Sequence, residues 1–153
     1  MKVTDFLAAD MIVSDLKSDT KTGVLSELAF HLANHMSGVD GNVLKKVLEE
    51  RELLASTAIG DGIAIPHGKL DAVGRLVGTL GRARAGIEFE SIDGKPTHLV
   101  FMLVAPASST GVHLKALARL SRLFRDADFR DRLMVAPDAP AMYQVIVEED
   151  AKY

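Results

Sequence analysis

Three side chains of this sequence, Arg51, His67 and His113, have types and settings that fit one chemistry, the handling of a phosphoryl group. His67 follows the run Ile63-Ala64-Ile65-Pro66 and precedes Gly68. Pro66 lacks an N–H and biases Ile65 toward extended backbone, so a strand is expected to end there. Gly68 leaves the ring uncrowded. This reading presents His67 at the carboxyl end of a strand, where α/β folds commonly place chemistry. The plain alternative is a strand-to-loop junction whose histidine is merely polar. As a nucleophile, a neutral imidazole attacks phosphorus well, and the N–P bond it forms stays labile enough to pass the group onward. Arg51 supplies a planar fork suited to phosphate oxygens. His113 falls in the first turn of an expected helix, where free N–H groups attract phosphate and the dipole keeps imidazole neutral. Phosphoryl transfer needs chiefly positioning and charge stabilisation, so so small a set suffices.

The elements around these residues follow from hydrophobic periodicity. A helical turn around Phe6-Leu7 and a short strand at Met11-Ile12-Val13 open the chain. Val24, Leu25, Leu28, Ala29, Leu32, Ala33 and Met36 recur at helical spacing, with Ser18 or Asp19 as the expected cap and Gly38 as the stop. A second helix starts near Asn42 and lays Val43, Leu44, Val47 and Leu48 on one face, with Arg51 the next residue of that stripe. An arginine so placed either snorkels into solvent, the commoner outcome, or is aimed at an anion. Strands are expected over Leu76–Arg84 and Thr97–Ala105, the second buried on both faces. Helices are expected over Val112–Arg125, Asp128–Val135 and Pro140–Glu149. The whole of 1–153 reads as a single-domain α/β fold, a mixed β-sheet flanked by helices on both sides.

Composition removes several function classes. The chain has no cysteine, which excludes disulfides, thiolate catalysis and cysteine-based zinc sites. A net charge of -3 with 5% aromatic residues argues against nucleic-acid binding. The longest apolar run, Leu99–Ala105, is too short to span a bilayer, and the first residues lack a signal-peptide pattern. A cytoplasmic location without membrane insertion is the expectation. Gly60-x-Gly62 lacks the third glycine and the lysine of a nucleotide loop, so no cofactor is expected and the phosphate must arrive from another phosphoprotein. His31 and His35 share a helix face but have no Glu of a His-Glu-x-x-His motif, which favours an ordinary polar pair. His98 heads the buried strand as a structural or edge residue.

The segment from Arg51 through Ser56-Thr57-Ala58-Ile59-Gly60-Asp61-Gly62 to Pro66-His67-Gly68 resembles the signature of the fructose/mannitol-type enzyme IIA domains of the bacterial phosphoenolpyruvate phosphotransferase system. His113-Leu114-Lys115-Ala116-Leu117-Ala118 is similar to the helix that carries that family's second histidine. The resemblance implies that His67 is phosphorylated and that Arg51 and His113 line its site. Phe89-Glu90-Ser91-Ile92-Asp93-Gly94-Lys95-Pro96 and Leu103-Val104-Ala105-Pro106 look most like the nitrogen-regulatory branch. That branch implies an HPr-like phosphate donor and regulated targets, including potassium transporters and sensor kinases. Two alternatives stand beside it: a sugar-specific enzyme IIA that passes phosphate to a separate IIB domain, and a metal-dependent hydrolase that uses His67 and His113 as ligands. Lys115, Arg119 and Arg122 form a basic stripe, read as a solvated face rather than a docking site for an acidic target. The partner surface is expected at apolar residues such as Ile59 or Leu70.

Overall fold

The computed structural model describes residues 1–153. Its centre is β6 (Thr97–Ala105), in which every residue but His98 is buried. A strand so apolar must be covered on both faces, and helices cover it. Antiparallel to it runs β5 (Val77–Ile87), whose outer side takes the short parallel strand β1 (Ile12–Val13). On the other side lie β3 (Ile63–Ala64) and β4 (His67–Lys69), both parallel to β6, with β2 (Ala58–Gly60) antiparallel to β3 at the edge. The sheet is therefore mixed and open, as expected from the sequence. The β2–β3 hairpin is an addition to the sequence reading. It turns through Asp61 and Gly62, both at positive φ (56° and 78°).

Helices α1 (Lys21–His35) and α2 (Gly41–Leu54) pack on each other, and α2 also lies against β4. After β6 come α3 (Thr110–Leu123), α4 (Ala127–Val135) and α5 (Ala139–Asp150). The cap of α1 is Thr20, whose side chain accepts from the Gly23 N–H, rather than Ser18 or Asp19. Asp40, Asp126 and Asp138 cap α2, α4 and α5 in the same manner. The helix with His113 starts at Thr110, two residues earlier than its apolar pattern indicates, because the polar loop residues supply its first turn. His31 and His35 stack at 4.3 Å between ring centroids on the outer part of α1.

One expectation fails for a reason of chain geometry. The strand before His67 does not end at Pro66: it breaks there and resumes. Ala64 pairs with Val100 and His67 with Leu103, so the register holds across the gap. Ile65 turns its N–H to Thr57 instead, and Pro66, with no N–H to place, still accepts from Leu103 at 2.9 Å. His67 thus opens a strand rather than closing one. The basic stripe on α3 is a largely solvated face, as expected, with Arg119 alone partly buried. Arg119 donates to Asp150 at 2.9 Å, while Lys115 and Arg122 are exposed, the latter lying over the Tyr153 ring at 4.5 Å.

Candidate functional site

A depression of about 450 Å³ lies where the last turns of α2, strand β4 and the start of α3 meet, and it is lined by Arg51, His67 and His113 together. The three residues singled out in the sequence are thus brought to one place. Each arrives on its own element. Arg51 is in the last turn of α2, half-buried, with its Nη1 donating to the Ala55 carbonyl at 2.9 Å. It lines the depression instead of snorkelling away from it. Gly68 permits this approach: a Cβ there would sit 2.7 Å from Val47 Cγ1, so α2 packs on bare β4 backbone.

His67 is half-buried, and its Nδ1 lies 2.8 Å from the Ile65 carbonyl. A carbonyl can only accept, so Nδ1 carries the hydrogen and Nε2 is left with its lone pair. Burial pushes the His67 pKa below its ordinary value. The Ile65 carbonyl, which favours the protonated ring, offsets part of this, and the Arg51 charge adds to the lowering. The ring is accordingly neutral near pH 7.

His113 sits edge-on to His67, with ring centroids 5.4 Å apart and planes at 76°. It is buried, and neither of its ring nitrogens has a protein partner. Burial first, then the neighbouring His67 and Lys69 charges, push its pKa down to about 4. Its own N–H is bonded to the Ser109 carbonyl at 2.9 Å, so the open amides of α3 are those of the residues before it. Ser109 makes no side-chain cap there. A neutral imidazole with an unmet N–H, an uncapped helix start and a guanidinium are the kinds of group that can hold an anion of phosphate size.

Sequence reasoning missed Lys69, Thr110 and the apolar rim. Lys69 lines the depression and donates to the Thr110 hydroxyl at 2.5 Å, tying β4 to the first residue of α3. Strand alternation was the available signal, since residues two apart share a face. Val47, Leu54, Leu114 and Leu117 form the rim, with Leu54 82% and Leu114 61% exposed. The expected surface residues Ile59 and Leu70 do not line it. His98 lies elsewhere, with Nδ1 3.1 Å from the Ala83 carbonyl. The metal-hydrolase alternative finds no third ligand, because no three His, Asp or Glu side chains converge anywhere in the chain.

Fold and depression together describe a small α/β protein in which two histidines and an arginine line one depression. Residues 5–149 match the family model described as "Phosphoenolpyruvate-dependent sugar phosphotransferase system, EIIA 2", and the chain belongs to that family, whose members are phosphoryl-transfer components. It is 43% identical over 146 residues to a nitrogen regulatory protein of Bradyrhizobium diazoefficiens, covering 95% of each chain. It is 36% identical over 150 residues to the fructose-specific EIIABC component of Bacillus subtilis, covering 98% of this chain but 24% of that longer protein. Among solved structures, nitrogen regulatory protein IIA-Ntr from Neisseria meningitidis superposes with a TM-score of 0.87 at 31% identity, covering 94% of this chain and 98% of the other. No helix is long and apolar enough to cross a membrane.

Proposed function

We propose that residues 1–153 act as one phosphocarrier domain, which accepts a phosphoryl group on His67 from an HPr-like phosphoprotein and regulates target proteins by its phosphorylation state. The observation that carries this reading is the Nδ1 contact of His67 with the Ile65 carbonyl at 2.8 Å, beside Arg51 and the unpartnered His113 ring. It leaves Nε2 as the nucleophile. The Nε2 lone pair forms the new N–P bond as the bond between phosphorus and the donor breaks, and the donor keeps that electron pair. His113 gives its single N–H to one phosphoryl oxygen. Of the five guanidinium N–H groups of Arg51, one is held by Ala55, and the others are available for further oxygens. The amides at the start of α3 face the remaining charge. The apolar rim of Leu54, Leu114 and Val47 suits the docking of a protein donor and excludes water from the transferring group.

The similarity to nitrogen regulatory proteins along almost the full length of both chains supports a regulatory output in the cytoplasm over delivery to a sugar-specific IIB domain. Targets of the potassium-transporter or sensor-kinase class fit that output. Incubation with phosphoenolpyruvate, enzyme I and an HPr-type carrier should place an acid-labile, alkali-stable phosphate on His67. His67→Ala should abolish labelling, and undiminished labelling of that variant would overturn the assignment. Pull-downs with His67→Asp and His67→Ala then compare partners of the two charge states. Targets that bind both equally would argue against phosphorylation-dependent regulation.

A further inference from the structure

Glu52, the residue after Arg51, is a charge in an unfavourable place. It is only 9% exposed, and it sits in the last turn of α2, where the helix dipole disfavours a carboxylate. A buried carboxylate persists only where donors meet it. Three do so here. The Lys21 ammonium lies 2.7 Å from Oε2, the Thr57 N–H donates to Oε2 at 3.2 Å, and the Thr57 hydroxyl donates to Oε1. Lys21 is itself set over the Phe89 ring at 5.0 Å.

The local backbone explains why this cluster bears on Arg51. Helices commonly end on a left-handed glycine that turns the chain and satisfies the last carbonyls. α2 has none: its C-cap Ala55 is extended, with φ -171° and ψ 146°. Side chains therefore set the path of the chain out of the helix. Arg51 donates to the Ala55 carbonyl, and Glu52 grips Thr57 two residues further on. The Ser56 hydroxyl donates to the Phe89 carbonyl at 2.7 Å, completing the anchorage. The acceptor that orients the Arg51 guanidinium thus belongs to a loop held from the far side of α2.

We propose that Glu52, braced by Lys21 and Thr57, is a positioning residue that fixes the Arg51 guanidinium for phosphoryl transfer through the Ala55–Thr57 loop, a role that rests on the phosphocarrier reading above. Glu52 also has a direct electrostatic effect, since its charge favours the protonated form of His67. The two routes have opposite consequences. Loss of the charge alone would widen the pH range in which His67 is neutral and leave the maximal rate intact. Loss of the loop anchor would lower the maximal rate at every pH.

Two variants separate them without leaving a bare buried charge: Thr57→Val, which keeps the Lys21–Glu52 pair, and Lys21→Met combined with Glu52→Gln. Phosphorylation of the full chain by a phosphorylated HPr-type carrier is followed against pH and carrier concentration. Side-chain NMR of the Arg51 guanidinium is recorded on the same samples, in variants whose amide spectra elsewhere match the parent. In Thr57→Val the maximal rate is expected to fall about 10- to 100-fold, the scale of a misplaced catalytic contact, with little change in KM for the carrier. The double variant, whose amide oxygen still accepts from Thr57, should keep the plateau and extend it to lower pH. The guanidinium signals should change from restricted to averaged in Thr57→Val. An unchanged plateau with restricted Arg51 signals in Thr57→Val overturns the positioning role. If the parent protein accepts no phosphate, the phosphocarrier reading fails, while the Arg51 signals still decide whether Glu52 holds the loop.

Discussion

The two imidazoles of the depression are both kept neutral chiefly by burial, and each makes a pH dependence. His113 is buried beside His67 with no carboxylate to welcome a proton, and its pKa falls from 6.5 to about 4. A histidine with a depressed folded pKa binds fewer protons folded than unfolded. Its contribution to stability is therefore complete above about pH 6.5 and is lost as pH falls toward 4, by up to about 3 kcal/mol. Urea unfolding at neutral and at mildly acid pH measures this. His113→Gln, which has nothing to titrate, should lose less stability over that interval than the parent does. His67 keeps its proton on Nδ1 for the Ile65 carbonyl, so a second proton can go only to Nε2, the atom with the free lone pair. The rate of phosphate acceptance should accordingly rise with pH to a plateau reached by neutrality, because the His67 pKa lies below its ordinary 6.5. A rate that instead fell between mildly acid and neutral pH would mean that the imidazolium, not the imidazole, is the working form.

At the scale of elements, the site depends on how closely α2 can approach β4. Gly68 sets that distance, since a Cβ would meet Val47 Cγ1 at 2.7 Å. Gly68→Ala should push the helix outward, costing roughly 1–3 kcal/mol and slowing phosphorylation as Arg51 moves away from His67. Val47→Ala in the same chain should restore part of both, which chemical denaturation and the transfer assay report separately. The alternation and helical periodicity that place Val47, Leu48 and Arg51 on one stripe are local, which is why α2 and the candidate arginine were readable from the sequence. Thr97–Ala105 was readable from a local signal too, the unbroken apolar run Leu99–Ala105 bounded by Pro106. The resumption of the strand after Pro66 was not, because it depends on Leu103 and its neighbours, far along the chain, offering an unslipped register. Glu52 and Lys69 were overlooked because charged residues ordinarily face water, and only tertiary contacts bury one and aim the other. The loop polarity around Ser109 likewise concealed the true start of α3.

The molecule as a whole closes on α3, the helix that brings His113 to the site. Its first residue is tied to β4 through Lys69 and Thr110, and its far half is tied to the chain's end through Arg119 and Asp150. Asp150 joins more than these two. Its carboxylate, with a side chain 3% exposed, also accepts the Val3 and Thr4 N–H groups at 3.0 and 3.1 Å, so the first turn, α3 and α5 meet at one buried group. The Lys2 ammonium reaches the Asp150 carbonyl at 3.0 Å and strengthens the same junction. Replacing Asp150 by alanine leaves Arg119 with backbone carbonyls but no carboxylate and takes the acceptor from two amides, and losing one partner of a buried pair costs about 3–5 kcal/mol. For a chain of this size that corresponds to a drop in Tm of roughly 6–20 °C, measurable by calorimetry. Asp150→Asn keeps one acceptor oxygen and should fall between the alanine variant and the parent. The junction lies toward the end of α3 opposite His113, so phosphate acceptance measured well below the lowered Tm should keep the parent rate. A rate that fell in proportion to the loss of stability would mean that α3 transmits its anchorage along its length, and that His113 is placed from both ends of its helix.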